Sequence, residues 1–206
     1  MAFTTTGLDR EDQDVIVSLA NAIPRAMRSA ANYIRADQYL SMQWFGDNDI
    51  CWIFELKRKL IRMATIIETY PFNVSWETNE SNYEKYDALA YKPESGWRDN
   101  TISYNYADLF QPGMTISGIS TETTPFKITL GGGWHERPLF KNISQMDSQF
   151  QTMVHELSHL LMNTIDFVEG YNTCLTYAVN NCQFAKGNAD NWGYFVEEFR
   201  LMNYLL

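Results

Sequence analysis

Residues 150–171 read FQTMVHELSHLLMNTIDFVEGY, and the spacing of polar and apolar residues in this stretch decides how the chain is read. Phe150, Met153, Val154, Leu157, Leu160 and Leu161 recur at the period of a helix with one apolar face. Asp147 or Ser148, just ahead, offers a cap for its first turn. His155 and His159 lie four apart, so their side chains point the same way, one turn above the other. Two imidazoles stacked in this way hold one zinc ion at about 2.0–2.1 Å each. Glu156 projects beside them, where it reaches a metal-associated water without ligating, which is the arrangement of a metal-dependent peptide hydrolase. The apolar neighbours seat the helix on a core, and a firmly held helix is what fixes ligand geometry.

A catalytic zinc takes three protein ligands and keeps one position open. No HxxGxxH pattern follows, and the stretch from Tyr177 to Phe184 contains no Glu. Asp166 is the nearest carboxylate after His159. Asn163 tolerates the left-handed geometry of a helix C-terminus, after which the chain turns back at Thr164 and Ile165 and brings Asp166 under the metal. Glu169 is the alternative ligand, and either acid also reads as an ordinary solvated loop residue. His135, the only histidine outside this stretch, reads as a loop or surface residue.

Outward from the motif, the chain divides into three zones. Leu8 to Ile67 reads as helical, with Val15, Ile16, Leu19, Ile23, Met27, Ala31 and Ile34 in one helical stripe. Pro24 is expected to kink or split that helix. A turn at Phe45–Asp49 supplies Asp47, Asn48 and Asp49 as caps for a second helix carrying Ile53 to Ile67. Glu68 to Asn142 concentrates the turn residues and short strand candidates: residues 71–76, 87–92, a stretch around Ile102, and Phe126–Leu130. They predict a small irregular sheet. Phe126–Leu130 reads equally as an edge strand that pairs with an extended substrate and as an ordinary sheet strand. Gly131-Gly132-Gly133 reads as a turn, since it lacks the following Lys-Ser/Thr of a phosphate cradle. Two helices follow the motif, near Tyr171 to Phe184 and near Asp190 to Tyr204. The aromatics from Tyr83 to Tyr106 read as core or loop packing in preference to a cleft wall.

The bulk properties restrict the function classes. With 206 residues, 45% hydrophobic and 20% charged, the chain is one folded domain with a full core. A net charge of −9 and a pI near 4.8 argue against a nucleic-acid surface and leave room for a basic substrate. Three cysteines leave at least one thiol unpaired. Cys174 and Cys182, if on one helix, stand about 12 Å apart, too far to bridge. No run approaches the ~18 apolar residues of a membrane span. The opening MAFTTTGLDREDQD lacks the basic and apolar regions of a Sec signal peptide.

HELSHLLMNTIDFVEGY resembles the HExxH…GTxDxxYG signature of the aspzincins, the deuterolysin-like and lysine-specific metalloendopeptidases. Residues 188–195, NADNWGYF, are similar to their NADxxEYF segment, and Trp44-Phe45-Gly46 to a WFG segment. The likeness covers the last sixty or so residues well and the first 140 loosely. It implies His155, His159 and Asp166 as zinc ligands, Glu156 as general base, and Asp190 as an acid lining a pocket for a Lys side chain. Three positions depart from the pattern. Asn163 replaces Gly. Glu169 replaces the Tyr whose hydroxyl would stabilise the oxyanion, a role that Tyr171 is expected to take over. Gly193 replaces a second pocket acid, which leaves Asp190 and Glu169 as the substrate-binding carboxylates.

The resulting expectation is an α+β, zincin-like metalloprotease fold, mainly helical, with a small irregular β-sheet and an active-site helix carrying HExxH. It spans 1–206 as a single catalytic domain, with a helical and sheet lobe at 1–142 and a helical lobe with the zinc site at 143–206. The expected activity is Zn2+-dependent cleavage of a protein or peptide, next to Lys. The expected partners are that substrate and a cognate inhibitor or immunity protein, with no nucleic acid and no membrane span. The resemblance implies an exported enzyme, a secreted effector or toxin leaving by a signal-free route, with a cytosolic enzyme as the other option. The competing reading is a degenerate zincin that binds metal and a partner without cutting.

Overall fold

The structure is a computed structural model, and it describes residues 3–35, 39–91, 126–141 and 147–202. Strand β1 (Phe3–Thr6) leads into α1 (Arg10–Tyr33), α2 (Tyr39–Phe45) and α3 (Ile50–Thr69). Strand β2 (Phe72–Trp76), α4 (Glu80–Lys85), β3 (Ala88–Tyr91) and β4 (Phe126–Leu130) follow, then a 3-10 turn at Gly132–Glu136. The C-terminal part is α5 (Gln149–Met162), α6 (Tyr171–Asn180), α7 (Cys182–Ala185) and α8 (Ala189–Met202). This mainly helical chain with a small mixed sheet is the expected architecture. The strand candidate around Ile102 and the aromatics Trp97, Tyr104 and Tyr106 lie outside the described residues.

Asp9 caps α1 by accepting the Asp12 N–H at 2.9 Å, and Asp49 caps α3 by accepting from Cys51 at 2.8 Å. The apolar stripe of α1, with Ile16, Leu19, Ile23 and Met27 fully buried, packs against Leu56, Leu60 and Met63 of α3. α1 runs through Pro24 as one helix, so the proline does not split it. A proline inside a helix costs about 3 kcal/mol. Pro24 is itself buried in the α1 stripe, and the packing of the neighbouring large apolar residues offsets that cost.

The sheet order is β1-β2-β4-β3, with β1, β2 and β4 parallel and β3 antiparallel to β4. Strand β4 is therefore interior, which corrects the edge-strand reading of Phe126–Leu130. Among the described residues, the edge next to α5 is β3, which packs on that helix. The Gly131–Gly133 run has a packing reason: a Cβ on Gly131 would sit 1.7 Å from the Tyr86 carbonyl oxygen, and one on Gly133 1.9 Å from an Asp87 oxygen. The sheet and the α4–β3 connection can approach only across bare backbone.

Many aromatic residues outside the 83–106 stretch form the core, whereas within that stretch Tyr83 is exposed and Tyr86 lines a cavity, which corrects the reading of Tyr86 as packing alone. Phe45 packs against Trp52, Trp192 and Phe195 with ring centroids 5.0–5.3 Å apart. Cys51, Cys174 and Cys182 are all free thiols, the last two on separate helices. No described helix is long and apolar enough to cross a membrane.

Candidate metal centre and active-site cavity

Helix α5 begins where Ser148 accepts the Gln151 N–H at 3.0 Å. The Ser148 hydroxyl reaches the buried Glu197 carboxylate of α8 at 2.7 Å, so the cap also pins α5 to α8. The helix ends at Asn163, which adopts φ 58° and ψ 37°, the left-handed cap read from the sequence. The chain then reverses, and Asp166 returns to the exposed face of the two histidines.

His155 Nε2 and His159 Nε2 are 3.0 Å apart, and Asp166 Oδ1 stands 3.1 and 3.2 Å from them. Two donors on a tetrahedral zinc are separated by about 3.3 Å, given bonds of about 2.0–2.1 Å. The triangle therefore fits one face of a zinc tetrahedron, and among the described residues it is the only group of three such donors. Each imidazole is fixed through its other nitrogen. His155 Nδ1 meets Asp190 Oδ1 at 2.6 Å, and His159 Nδ1 meets the Thr164 carbonyl at 2.8 Å. A carbonyl only accepts, so His159 carries a proton on Nδ1 and Nε2 is the nitrogen turned to the triangle; the Asp190 carboxylate orients His155 in the same way.

The electrostatics follow from burial and crowding. Burial opposes charge on His155, yet its hydrogen bonds to Asp166 and Asp190 lift its pKa well above the ordinary imidazole value in the metal-free chain. Burial likewise pushes the Asp166 carboxyl up, but the hydrogen bonds from both histidines outweigh it and hold the group below the usual carboxylate range. Burial dominates at Glu156 and raises its carboxyl pKa against the pull of the two imidazoles. Glu156 is 5% exposed, takes the Ala90 N–H of β3, and lies 3.9 Å from His155 Nε2.

The loop carrying Asp166 is rigid because Asn188 clamps it. The Asn188 side-chain oxygen accepts the Phe167 and Val168 N–H groups at 2.9 and 3.1 Å, and its amide donates to the Val168 carbonyl at 3.0 Å. Asn191 extends the clamp to the Trp44 carbonyl at 2.6 Å. The three segments singled out in the sequence thus meet in space.

A cavity of about 220 Å3 opens beside the triangle. His155, Glu156, Glu169 and Asp190 line it, as the sequence reading places them. Two of the expected residues have other contacts. Asp190 is not a free pocket acid: one oxygen is taken by His155 and Gln151, the other by the Gly170 N–H at 2.7 Å. Tyr171 does not line the cavity; its hydroxyl donates to Glu198 at 2.7 Å and its ring packs on Trp44 at 5.0 Å. Burial and that carboxylate push the Tyr171 hydroxyl pKa far up. Gly193 also gains a reason, since a Cβ there would sit 2.8 Å from the Gln151 carbonyl oxygen on α5.

Sequence reasoning missed Tyr86, Asp87 and Arg137 in the lining. Arg137 is held by Asp87 at 2.8 Å and Asp147 at 3.2 Å. These residues come from three separate segments, so no local spacing signals them. His135 is a half-exposed side chain paired with Asp12 at 2.8 Å, away from the triangle.

Residues 120–197 match the sequence profile of the aspzincin family, described as lysine-specific metallo-endopeptidase. A zinc peptidase from Grifola frondosa is similar in structure, with a TM-score of 0.62 and 20% identity, over 93% of this chain and 97% of that one. No curated protein matches in sequence.

Proposed function

We propose that this chain is an aspzincin-type zinc metalloendopeptidase that holds its zinc on His155, His159 and Asp166 and cuts polypeptides next to a basic residue with Glu156 as general base. The observation that carries the reading is the donor triangle of 3.0–3.2 Å beside a buried glutamate in an acid-lined cavity. Bound zinc supplies the Lewis acid that polarises the scissile carbonyl and acidifies the attacking water. Glu156 takes the water's proton and delivers it to the leaving amine. Among the described residues the β3 edge, not β4, is the strand available to an extended substrate.

Cleavage next to Lys rests on charge. The cavity lining carries Asp87, Asp147, Glu156, Glu169 and Asp190 against Lys85 and Arg137. With Asp190 committed to His155 and Gly170, exposed Glu169 is the carboxylate left to meet an incoming ammonium. A peptide-library digest read by mass spectrometry tests this. Zinc-loaded protein is expected to cut next to Lys or Arg, and chelator to stop it. One bound zinc with no cut in any peptide would overturn the reading in favour of a metal-binding interaction module. The diversion of the Tyr171 hydroxyl to Glu198 is the observation on that module's side.

Asp190 acts through His155 and is a positioning residue. Asp190→Asn leaves one carbonyl oxygen for donors that now use two, and its amide must face a donor. Zinc affinity, measured by competition with a chromophoric chelator, is expected to fall about 10–100-fold. Unchanged affinity would remove Asp190 from that role.

A further inference from the structure

Arg137 lines the catalytic cavity, and two carboxylates of the same lining hold it there. Its Nε–H donates to Asp87 Oδ2 at 2.8 Å, and its Nη1 stands 3.2 Å from Asp147 Oδ2. Asp87 is the residue before β3, and Asp147 is the residue before the Ser148 cap of α5. The guanidinium therefore ties the start of the strand to the start of the helix. Its own segment is docked on that helix through the backbone. The Gln149 and Phe150 N–H groups donate to the Pro138 and Leu139 carbonyls at 2.9 and 3.1 Å. Asp147 has a further donor in the Tyr194 hydroxyl of α8, so it belongs to the fixed side. On the strand side, and among the described residues, the Asp87 carboxylate accepts from Arg137 alone.

A second contact joins the same strand to the same helix at the reacting centre. The Ala90 N–H of β3 is given to the Glu156 carboxylate of α5, and the two elements pack on each other. Asp87 lies only three residues from Ala90, about 10 Å along an extended chain, so one end of this short strand does not shift without the other. Without Arg137, the Asp87 and Asp147 carboxylates would face each other with no counter-charge. Like charges repel, so its loss pushes the start of β3 off α5 as well as freeing it. The donor triangle has separate supports. Asp190, the Thr164 carbonyl and Asn188 hold it, and none of them is bonded to Arg137.

We infer that Arg137 is a positioning residue: by holding β3 against α5 it sets where the Glu156 carboxylate stands. A general base works only within hydrogen-bond reach of the proton it takes. A misplacement of about 1 Å costs on the order of 10²-fold in rate, so the effect on turnover rests on the peptidase reading above. Arginine suits this post because its planar fork meets two carboxylates at once in a fixed geometry. A lysine ammonium on its flexible stem keeps the charge but not the fork.

In zinc-loaded protein, Arg137→Ala is expected to lower kcat on a cleaved peptide about 10- to 100-fold, with KM and zinc affinity within about twofold of wild type. Arg137→Lys should recover part of the loss, and so should guanidinium added to Arg137→Ala. In a Glu156→Gln background, Arg137→Lys should cost nothing further, because the group it positions is already gone. A merely structural role would cost the same factor in both backgrounds. The contact itself is read by amide hydrogen exchange in the metal-free protein. The Ala90 N–H should exchange about tenfold faster in Arg137→Ala, while the amides of Leu157 to Leu161 in α5 keep their wild-type rates. A rise in KM with kcat kept would make Arg137 a substrate contact and overturn the positioning role. Loss of zinc, or an undiminished cost in Glu156→Gln, would overturn it too. Should Arg137→Ala fail to fold, Arg137→Lys and Asp87→Asn carry the same comparisons. If wild type cuts nothing while Ala90 exchange still responds to Arg137, the peptidase reading fails and the positioning of Glu156 stands. If Ala90 exchange is blind to Arg137, the positioning fails whatever the turnover.

Discussion

Glu156→Gln is expected to lower kcat/KM on a cleaved peptide by about 10²–10⁴-fold while zinc stays bound at the wild-type stoichiometry. That loss corresponds to about 2.7–5.5 kcal/mol of barrier. The substitution is close to isosteric, and its carbonyl oxygen still accepts the Ala90 N–H that holds Glu156 in place. Only the capacity to take and return a proton is removed. Glu156 is not a corner of the donor triangle, so metal affinity has no reason to fall with activity. Thermal stability gives an independent check. Burial raises the Glu156 carboxyl pKa above its unfolded value, so at neutral pH its ionised form opposes folding in the metal-free chain. Removing that charge should leave the metal-free Tm unchanged or higher. A variant that is inactive because it has lost zinc or melts early would contradict this account, and so would one that cuts at the wild-type rate.

How far the sequence revealed this site depends on how local each part is. The helix with its two histidines, the Ser148 cap and the left-handed Asn163 all follow from residues within one or two turns of each other, and all are found as read. The return of Asp166 is legible for the same reason: a forced reversal at Asn163 leaves it little room to go elsewhere. The partners of the imidazoles were not legible. Asp190 is 35 residues from His155, and nothing in its own segment says that it faces a histidine instead of a substrate. The resemblance pointed to the right residue with another role. Asn188 and Asn191 were quoted as part of a motif, and only the fold shows that they clamp the metal loop. The contacts of Tyr171 depend on direction. It starts α6 just after Gly170, whose φ of +86° turns the chain, and the side chain points into the Trp44–Tyr194 cluster.

The sheet shows the same limit. Short strands at 72–76, 88–91 and 126–130 were readable from composition, but their order was not, because pairing is a property of the whole fold. The interior place of β4 leaves β3 as the edge of the described sheet beside α5, and the β3 Ala90 N–H also holds Glu156. One short strand thus serves both the sheet and the reacting centre. The substitution at Gly193 makes a related point. Read alone, it looks like the loss of a pocket acid. In the fold it is where α8 comes within a Cβ of α5, and Gln151, which crowds it, donates to Asp190.

Asp166→Ala should abolish most of the stabilisation that zinc gives this chain. Ligand binding to the folded state contributes RT ln(1 + [L]/Kd), about 2.7 kcal/mol when zinc is present at 100 times its Kd. For a chain of this size that is a rise in Tm of roughly 5–11 °C. Removing a direct ligand should weaken zinc at least as much as the upper end of the range for outer partners, about 100-fold. At the same zinc concentration the variant then gains only about 0.4 kcal/mol, or roughly 1–2 °C. Two stacked imidazoles remain, so residual binding is expected, but without the third corner of the 3.0–3.2 Å triangle it is weak. Glu169→Ala is the matched control. Glu169 was the other carboxylate that sequence alone left open as a ligand; it lines the cavity but is not part of the donor triangle. Its zinc-dependent Tm rise should match wild type, while its preference for a basic residue at the cut should weaken. The opposite pattern, zinc lost with Glu169 and kept with Asp166, would assign the third ligand to Glu169 and require the 163–170 loop to move on binding metal. Differential scanning fluorimetry across a zinc titration, with metal content measured on the same samples, distinguishes the two.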